Sequence, residues 1–337
     1  MNQGPELSLG DDRAARAVVR AAAILRAGGL VAFPTETVYG LGADAENVAA
    51  VRRIFQVKGR PEGHPLIVHI GDPGWLGNWV SEVPPAACKL VKAFWPGPLT
   101  LILRRGPRIP LVVTGGLETV GVRVPNHSLA LAMLRAFGGA VAAPSANQYG
   151  KVSPTRAEHV REDLVGRVEF ILDGGPCEVG VESTIVDLSS GEPAILRPGG
   201  VTQERLEAVL GQTVPLRHGG SVRSPGQHAV HYAPRAEIVV VGADEIPHRA
   251  ADLIAAGRRV VVLGDPASRN LPSRLEIMPL PDSLAEIARS LYETLREVDR
   301  RGFDVALVTL PPDDGLGLAI ADRLRRAAGP RQSAPDS

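Results

Sequence analysis

The sequence has few cysteines, few aromatic residues and no excess of charge of either sign. Two cysteines, Cys88 and Cys177, are too few for a disulfide framework or for a cysteine-based zinc site, and they fit a reducing compartment. The formal net charge is +0 at pH 7, so no global field draws the chain to nucleic acid or to an anionic membrane. No window approaches the ~20 apolar residues of a membrane span. The N-terminal residues lack the basic and then apolar pattern of a signal peptide. A soluble cytoplasmic protein is predicted.

The stretch from residue 29 to residue 70 has the most distinctive order of features. A short apolar run, residues 30–33, predicts a buried strand, and polar residues with two glycines, Gly40 and Gly42, predict a loop that bends tightly or approaches a ligand. A helix is predicted from residue 48 to 55, followed by Lys58-Gly59-Arg60 and by a second apolar strand over 66–70. This order is typical of an anion site at the strand ends of an open α/β protein.

Lysine is scarce in this chain, with four lysines against 33 arginines. A lysine supplies a compact, mobile ammonium where an arginine supplies a planar fork. Lys58 therefore stands out beside Arg60 as a candidate for binding phosphate.

Strands and helices alternate along the chain and predict two α/β domains. We expect a catalytic domain over residues 1–216 and a linker over 217–234, where Gly, Pro, Ser and His replace apolar periodicity. A smaller domain with a parallel sheet is expected over 235–330, followed by a disordered tail over 331–337. No Walker loop, kinase signature or zinc-ligand run is present, and Gly315-Leu-Gly317 lacks the rest of a dinucleotide fingerprint.

Polar residues recur where the predicted strands meet loops. Thr119 and Arg123 lie on one face of an apolar strand, and a buried arginine requires a partner, for which Asp187 is one possibility. The strings PTETVYGLG, KGRP and PLIVHI, with Ser145-Ala-Asn147 further along, resemble the threonylcarbamoyl-AMP synthase family, the YrdC/Sua5 proteins. The resemblance is dense from residue 30 to about 200 and looser beyond.

The resemblance implies a fold and a set of site residues. The fold is a YrdC-like, twisted, open mixed sheet with helices, joined to a smaller Rossmann-like parallel α/β domain. Lys58 and Arg60 are implied as catalytic groups that meet the triphosphate. The residues implied to bind ATP are Arg60, His64, Thr119, Ser145, Asn147, Ser153, Arg197 and Tyr232. The residues implied to bind L-threonine are Thr37, His69, Arg123, Ala143 and Ser183.

Two positions depart from the family pattern. His64 stands where many relatives carry Asn, although histidine can still donate one hydrogen bond. In the linker, Ser224-Pro225-Gly226 and His231-Tyr232 match the family, but residues 227–230 do not carry its usual Met and basic residues.

The activity implied is synthesis of L-threonylcarbamoyladenylate from L-threonine, bicarbonate or CO2, and ATP, the first step of tRNA threonylcarbamoyl-adenosine formation. It implies a nucleotidyltransferase whose Mg²⁺ is held through ATP phosphates, with no metal ligands from the protein alone. The product is expected to pass to a tRNA threonylcarbamoyl transferase. The protein itself is expected to be a monomer without stable nucleic-acid or membrane binding. Two alternatives stay open: a structured-RNA-binding module without catalysis, which zero net charge and 4% aromatics disfavour, and carbamoyl adenylation of the hydrogenase-maturation kind.

Overall fold

A computed structural model of the chain describes residues 12–217, 232–265 and 271–329, which belong to two compact units. The described residues of the first unit are 12–149 and 153–217, and those of the second unit are 150–152, 232–265 and 271–329. Over these described ranges, no helix is both long and apolar enough to cross a membrane.

The first unit combines helices with one large sheet. Its helices are α1 (Asp12–Arg26), α2 (Val48–Lys58), α3 (Pro85–Phe94), α4 (Leu111–Thr114), α5 (Ser128–Phe137), α6 (Ala157–Leu164) and α7 (Gln203–Leu210), with a 3-10 helix at Pro73–Asn78. Its strands are β1 (Val31–Phe33), β2 (Gly40–Asp44), β3 (Ile67–His69), β4 (Leu99–Arg104), β5 (Thr119–Arg123), β6 (Val141–Ala142), β7 (Phe170–Ile171), β8 (Thr184–Asp187) and β9 (Ala194–Arg197).

The nine strands form a mixed sheet in the order β7-β1-β2-β6-β3-β5-β4-β8-β9. Strands β3 and β5 run parallel, and β6 and β4 run antiparallel to them on either side. One face of the sheet packs into the main apolar core. The other face carries two smaller apolar clusters: one includes Val31, Phe33 and Val141 with residues of α1 and α5, and the other consists of Ile67, Ile102, Ile185 and Leu196. This second face leaves room for polar side chains.

Helix α2 shows how local sequence sets the element that carries Lys58. The Asn47 side chain caps its first turn by accepting a hydrogen bond from Ala50 N at 3.1 Å. Apolar residues at helical spacing, including Val51 and Ile54, bury one face. Gly59 ends the helix in the left-handed conformation at φ 64°, which glycine adopts without steric cost.

The predicted loop around Gly40 and Gly42 is wrong, because these residues begin strand β2, which pairs antiparallel with β1. Glycine at two of the five positions, in place of apolar residues, hid the strand. A Cβ at Gly42 would lie 2.7 Å from the Val141 side chain and 2.9 Å from the Phe33 ring. The glycine makes room for that ring and for the neighbouring strand.

The second unit has a smaller parallel sheet. Its strands are β10 (Glu237–Val240), β11 (Val260–Leu263), β12 (Glu276–Met278) and β13 (Val305–Val308), and its helices are α8 (Ile246–Ala255), α9 (Leu284–Arg300) and α10 (Gly315–Ala328). The strand order is β10-β13-β11-β12, with every pair parallel. A large mixed sheet and a smaller parallel one confirm the predicted fold class.

Residues 150–152 belong to the second unit although the chain on either side of them belongs to the first. Within the second unit, Ala233 N donates to Gly150 O at 3.0 Å. The buried side chain of Arg296, on α9, donates to Val152 O at 2.7 Å. The second unit is thus held together partly by two main-chain carbonyl groups that lie far away in sequence.

Candidate active site

The ends of β3 and β5 bring two predicted site residues side by side. The strands are parallel, and His69 pairs in register with Arg123 at the last position of each strand. Parallel strands place their carboxyl ends at the same edge of a sheet, which is where ligands bind in open α/β proteins.

Arg123 is 4% exposed and is held on three sides. Its Nε donates to Gly97 O at 3.2 Å, and its Nη1 donates to the Thr37 hydroxyl at 2.9 Å. The Thr37 hydroxyl also lies 2.8 Å from the Thr35 hydroxyl, which donates to Val38 O. The predicted proximity of Thr37 and Arg123 is thereby observed, and the loop after β1 fixes it.

The carboxylate that faces Arg123 is Glu36 and not Asp187. Glu36 Oε2 lies 2.8 Å from Arg123 Nη2, and the two side chains are 3% and 4% exposed. Asp187 instead accepts from Ser189 and Ser190 and lies 3.5 Å from Arg217. Glu36 lies in the polar loop after Phe33. Its position between two threonines is the sequence feature that could have indicated it as the partner of Arg123.

His69 is the second buried ionisable group at this edge. Burial lowers the pKa of His69 to about 3, the charge of Arg123 acts in the same direction, and backbone hydrogen bonds at Ile67 and Val141 oppose the shift. The Phe33 ring meets the imidazole edge to face, with centroids 5.7 Å apart. Within the described chain, Nδ1 of His69 has no hydrogen-bond partner. The imidazole is therefore neutral and offers one buried nitrogen.

Ser183, just before β8, and Arg197, the last residue of β9, form a second pair. Arg197 donates to Ser183 O at 2.9 Å and to the Ser183 hydroxyl at 3.1 Å, and that hydroxyl lies 2.8 Å from the Thr100 hydroxyl. The residue before Ser183, Glu182, accepts a 2.7 Å hydrogen bond from the buried Ser153 hydroxyl. Ser153, predicted to bind ATP, is thus tied to the segment before β8 that carries Ser183.

Lys58 lies at the end of α2 and binds the turn after β6. Its Nζ donates to Ser145 O at 2.5 Å and to the carbonyl oxygen of Asn147. Burial lowers the pKa of Lys58 well below its ordinary value, the charge of Arg60 adds to this effect, and Asp163 opposes it. The structure therefore brings Lys58, Ser145 and Asn147 together.

Arg60 and His64 lie in the segment that follows α2. Arg60 is 8% exposed and donates to Pro65 O at 2.9 Å. The His64 ring lies 5.5 Å from the Tyr149 ring, centroid to centroid. Tyr149 N donates to Lys58 O at 2.9 Å, so this segment and the turn after β6 are held together at two points.

Comparison with known proteins identifies the family. A family model described as "Telomere recombination", which covers Sua5, YciO and YrdC proteins, matches residues 23–199. A second, described as "Threonylcarbamoyl-AMP synthase, C-terminal domain", matches residues 201–329. The threonylcarbamoyl-AMP synthase of Pyrococcus abyssi is 47% identical over 92% of this chain and 94% of its own length. The Bacillus subtilis synthase is 45% identical over 97% and 96%.

The chain belongs to the threonylcarbamoyl-AMP synthase family.

A solved structure extends this likeness to three dimensions. Sua5 from Pyrococcus abyssi, solved in complex with L-threonine, has a TM-score of 0.87 at 44% identity and covers 92% of this chain and 94% of that one. Both units have counterparts in these threonylcarbamoyl-AMP synthases. The findings favour a catalytic nucleotidyltransferase over a structured-RNA-binding module without catalysis.

Three residues predicted for the synthase site are not drawn into the contacts above. Thr119 lies at the start of β5, four residues from Arg123 and opposite Arg104. Ala143 is 3% exposed and donates its N–H to Ile67 O at 2.8 Å. Tyr232 lies inside the second unit, where its ring stacks on Tyr292 at 5.6 Å. The roles implied for these residues stay predictions.

The rest of the predicted linker, residues 218–231, lies outside the described residues. In the parts of the chain that are described, no group of three His, Cys, Asp or Glu side chains is placed to hold a metal ion. Among the described residues, the site at the Arg123 edge consists of hydroxyl groups, cations and the buried carboxylate of Glu36.

Proposed function

We propose that this chain makes L-threonylcarbamoyladenylate from L-threonine, bicarbonate or CO2, and ATP, with release of pyrophosphate. The observation that carries the proposal is the match to threonylcarbamoyl-AMP synthases along nearly the whole chain. The surroundings of Arg123 and Lys58 support it, because they are two separate groups of buried cations and hydroxyls whose chemistry suits a carboxylate and phosphates.

For L-threonine, we propose Arg123 as the group that binds the carboxylate, since a guanidinium fork matches a carboxylate in two parallel hydrogen bonds. Thr37, His69, Ala143 and Ser183 are proposed to surround the rest of the amino acid. The unpartnered Nδ1 of His69 is suited to the threonine hydroxyl, because a neutral imidazole nitrogen accepts one hydrogen bond.

For ATP, we propose that Lys58 and Arg60 neutralise the phosphate charge during transfer. The nucleophile is the oxygen of threonine carbamate, which attacks the α-phosphorus, and no covalent enzyme intermediate is required. Positioning and charge stabilisation supply most of the rate in such reactions. Phosphate close to Lys58 favours its charged form and opposes the effect of burial on its pKa.

The other proposed ATP contacts are His64, Thr119, Ser145, Asn147, Ser153, Arg197 and Tyr232. Mg²⁺, when bound, neutralises charge on the phosphates, and we propose that it is held mainly by phosphate oxygens and water. In this proposal, residues 1–216 are the catalytic domain, residues 217–234 the linker and residues 235–330 the second domain.

The product is proposed to serve the first step of threonylcarbamoyl-adenosine formation at position 37 of tRNA, through a separate tRNA threonylcarbamoyl transferase. We propose that the synthase acts in the cytoplasm as a monomer, without stable nucleic-acid binding of its own.

The test is pyrophosphate release by the purified full chain with ATP, Mg²⁺, L-threonine and bicarbonate, each omitted in turn. We expect release to need all of ATP, L-threonine and bicarbonate, and the nucleotide product to carry threonine and one additional carbon. Pyrophosphate release that is independent of L-threonine would contradict the proposal.

A further inference from the structure

The Glu36 carboxylate is the least satisfied charged group at the Arg123 edge. It is 3% exposed, and neither of its oxygens has an aligned hydrogen bond within the described residues. Oε2 makes the 2.8 Å ion pair with Arg123 Nη2, and Oε1 likewise has no hydrogen-bond partner among the described residues. A buried polar atom without a partner costs free energy, so its presence at a site calls for an explanation.

Stability alone does not explain this pair. Taking two charges out of water costs free energy that the ion pair recovers only when further hydrogen bonds satisfy the remaining lone pairs. Arg123 has such bonds, to Gly97 and Thr37, but Glu36 does not. The Glu36 carboxylate can therefore still accept hydrogen bonds, and we expect the donor to be a bound ligand.

The charge pattern matches one chemical class. An amino-acid zwitterion carries a carboxylate and an ammonium on the same carbon atom, so its recognition requires a cation and an anion side by side. Glu36 and Arg123 are such neighbours, both buried, at the edge where Thr37 and His69 also lie. Charge-assisted hydrogen bonds of this kind are about twice as strong as neutral ones.

We propose that Glu36 binds the α-ammonium group of the amino-acid substrate through Oε1, beside the Arg123 guanidinium that takes the α-carboxylate. This inference rests on the proposed function, and it adds a residue that determines specificity for amino acids over hydroxy acids. The Glu36–Arg123 pair then provides complementary charges to both ends of the zwitterion.

The experiment compares three ligands on the full chain by calorimetry: L-threonine, its deamino analogue 3-hydroxybutanoate, and L-threoninamide, which lacks the carboxylate. Glu36→Gln keeps the shape of the side chain and removes its charge. We expect this variant to bind L-threonine at least tenfold more weakly than the wild-type chain. We expect its affinity for 3-hydroxybutanoate to change less than threefold. The preference for L-threonine over 3-hydroxybutanoate is then largely lost.

The matched control is Glu169→Gln, because Glu169 also pairs with an arginine, Arg53, but on the exposed surface. This control should keep the wild-type preference. Arg123→Lys should instead reduce the discrimination between L-threonine and L-threoninamide. These ligand ratios separate an ammonium-binding role from a structural one, since general loosening of the site weakens all three ligands alike.

A Glu36→Gln variant that folds and keeps the wild-type ratio of L-threonine to 3-hydroxybutanoate overturns the inference. If that variant does not fold, the wild-type chain is tested alone. Equal affinity of the wild-type chain for L-threonine and 3-hydroxybutanoate also overturns the inference. Failure of the proposed function looks different, since the wild-type chain would then show no threonine-dependent pyrophosphate release.

Discussion

The ionisable residues of the site are buried before any ligand is bound, and burial sets their protonation. His69 is one such case, because its pKa falls from the ordinary 6.5 to about 3. Between these two pH values the unfolded chain binds a proton at His69 that the folded chain does not bind. The free energy of unfolding must therefore fall as the pH drops below about 6.5, and this loss must stop below about 3.

We expect His69→Gln to flatten the pH dependence of the free energy of unfolding across this window. The contribution of one such group is at most about 1.4 kcal/mol per pH unit. Urea unfolding at several pH values between 4 and 7 measures it. His248→Gln, at an exposed position of the second unit, is the control. An unchanged slope in the His69 variant would contradict the assignment.

Lys58 and Arg60 lead to a second prediction for single residues. Lys58→Ala and Arg60→Ala together should abolish adenylate formation, because charge-assisted contacts to the reacting phosphates contribute several kcal/mol (about 3 per contact) to transition-state stabilisation. Pyrophosphate release measures the loss, and circular dichroism checks the fold. Lys89→Ala with Lys92→Ala, on the exposed side of α3, should keep full activity. Near-normal turnover in a folded Lys58/Arg60 double variant would rule out the phosphate role.

At the scale of elements, the sequence best predicts those segments in which apolar residues recur at regular spacing without interruption. Helix α5 and strands β11 and β13 are of this kind, since their apolar residues lie at uninterrupted spacing. Strand β2, where a loop was predicted, and strand β12 have no such spacing. Glycine replaces the apolar residues in β2, and β12 is a three-residue edge strand.

The same limit applies to the site. Motif strings predicted a set of polar site residues whose roles stay predictions, and the structure brings Arg123 to Thr37 and Lys58 to Ser145. The partner of Arg123 could not be chosen from the sequence, because Glu36 and Asp187 are both carboxylates next to predicted strands. Only the path of the loop after β1 decides between them.

The close crossing of Gly199 over β8 gives a prediction for an element. A Cβ at Gly199 would lie 2.3 Å from Glu182 O and 2.5 Å from Thr184 N, both backbone atoms that cannot rotate away. Gly199→Ala should lower the free energy of unfolding by about 1–3 kcal/mol, as overpacking does. It should also reduce synthase activity, because the backbone beside Ser183 must shift.

Urea unfolding and pyrophosphate release test this variant together. Gly77→Ala is the control, since a Cβ there meets nothing within 4 Å. Wild-type stability in the Gly199 variant would show that the backbone of β8 moves without cost.

At the scale of the whole molecule, we expect a chain that ends at residue 217 to fold but to lose most of its synthase activity. The first unit has its own sheet and apolar core, which supports independent folding. The shortened chain lacks Arg296, whose hydrogen bond to Val152 O lies next to Ser153, and it lacks Tyr232. Thermal unfolding and pyrophosphate release measure both outcomes. A fragment as active as the full chain would show that the second unit is dispensable for the reaction.

The placement of residues 150–152 in the second unit also limits how this family exchanges domains. A chimera joined within residues 218–231 would combine the second unit of one relative with the 150–152 segment of another. Ala233 and Arg296 bind main-chain oxygens of that segment, so a change of side chain there leaves both acceptors in place. An insertion or deletion shifts the acceptors along the chain. Recombination between relatives should therefore tolerate substitutions in this segment and select strictly for its length.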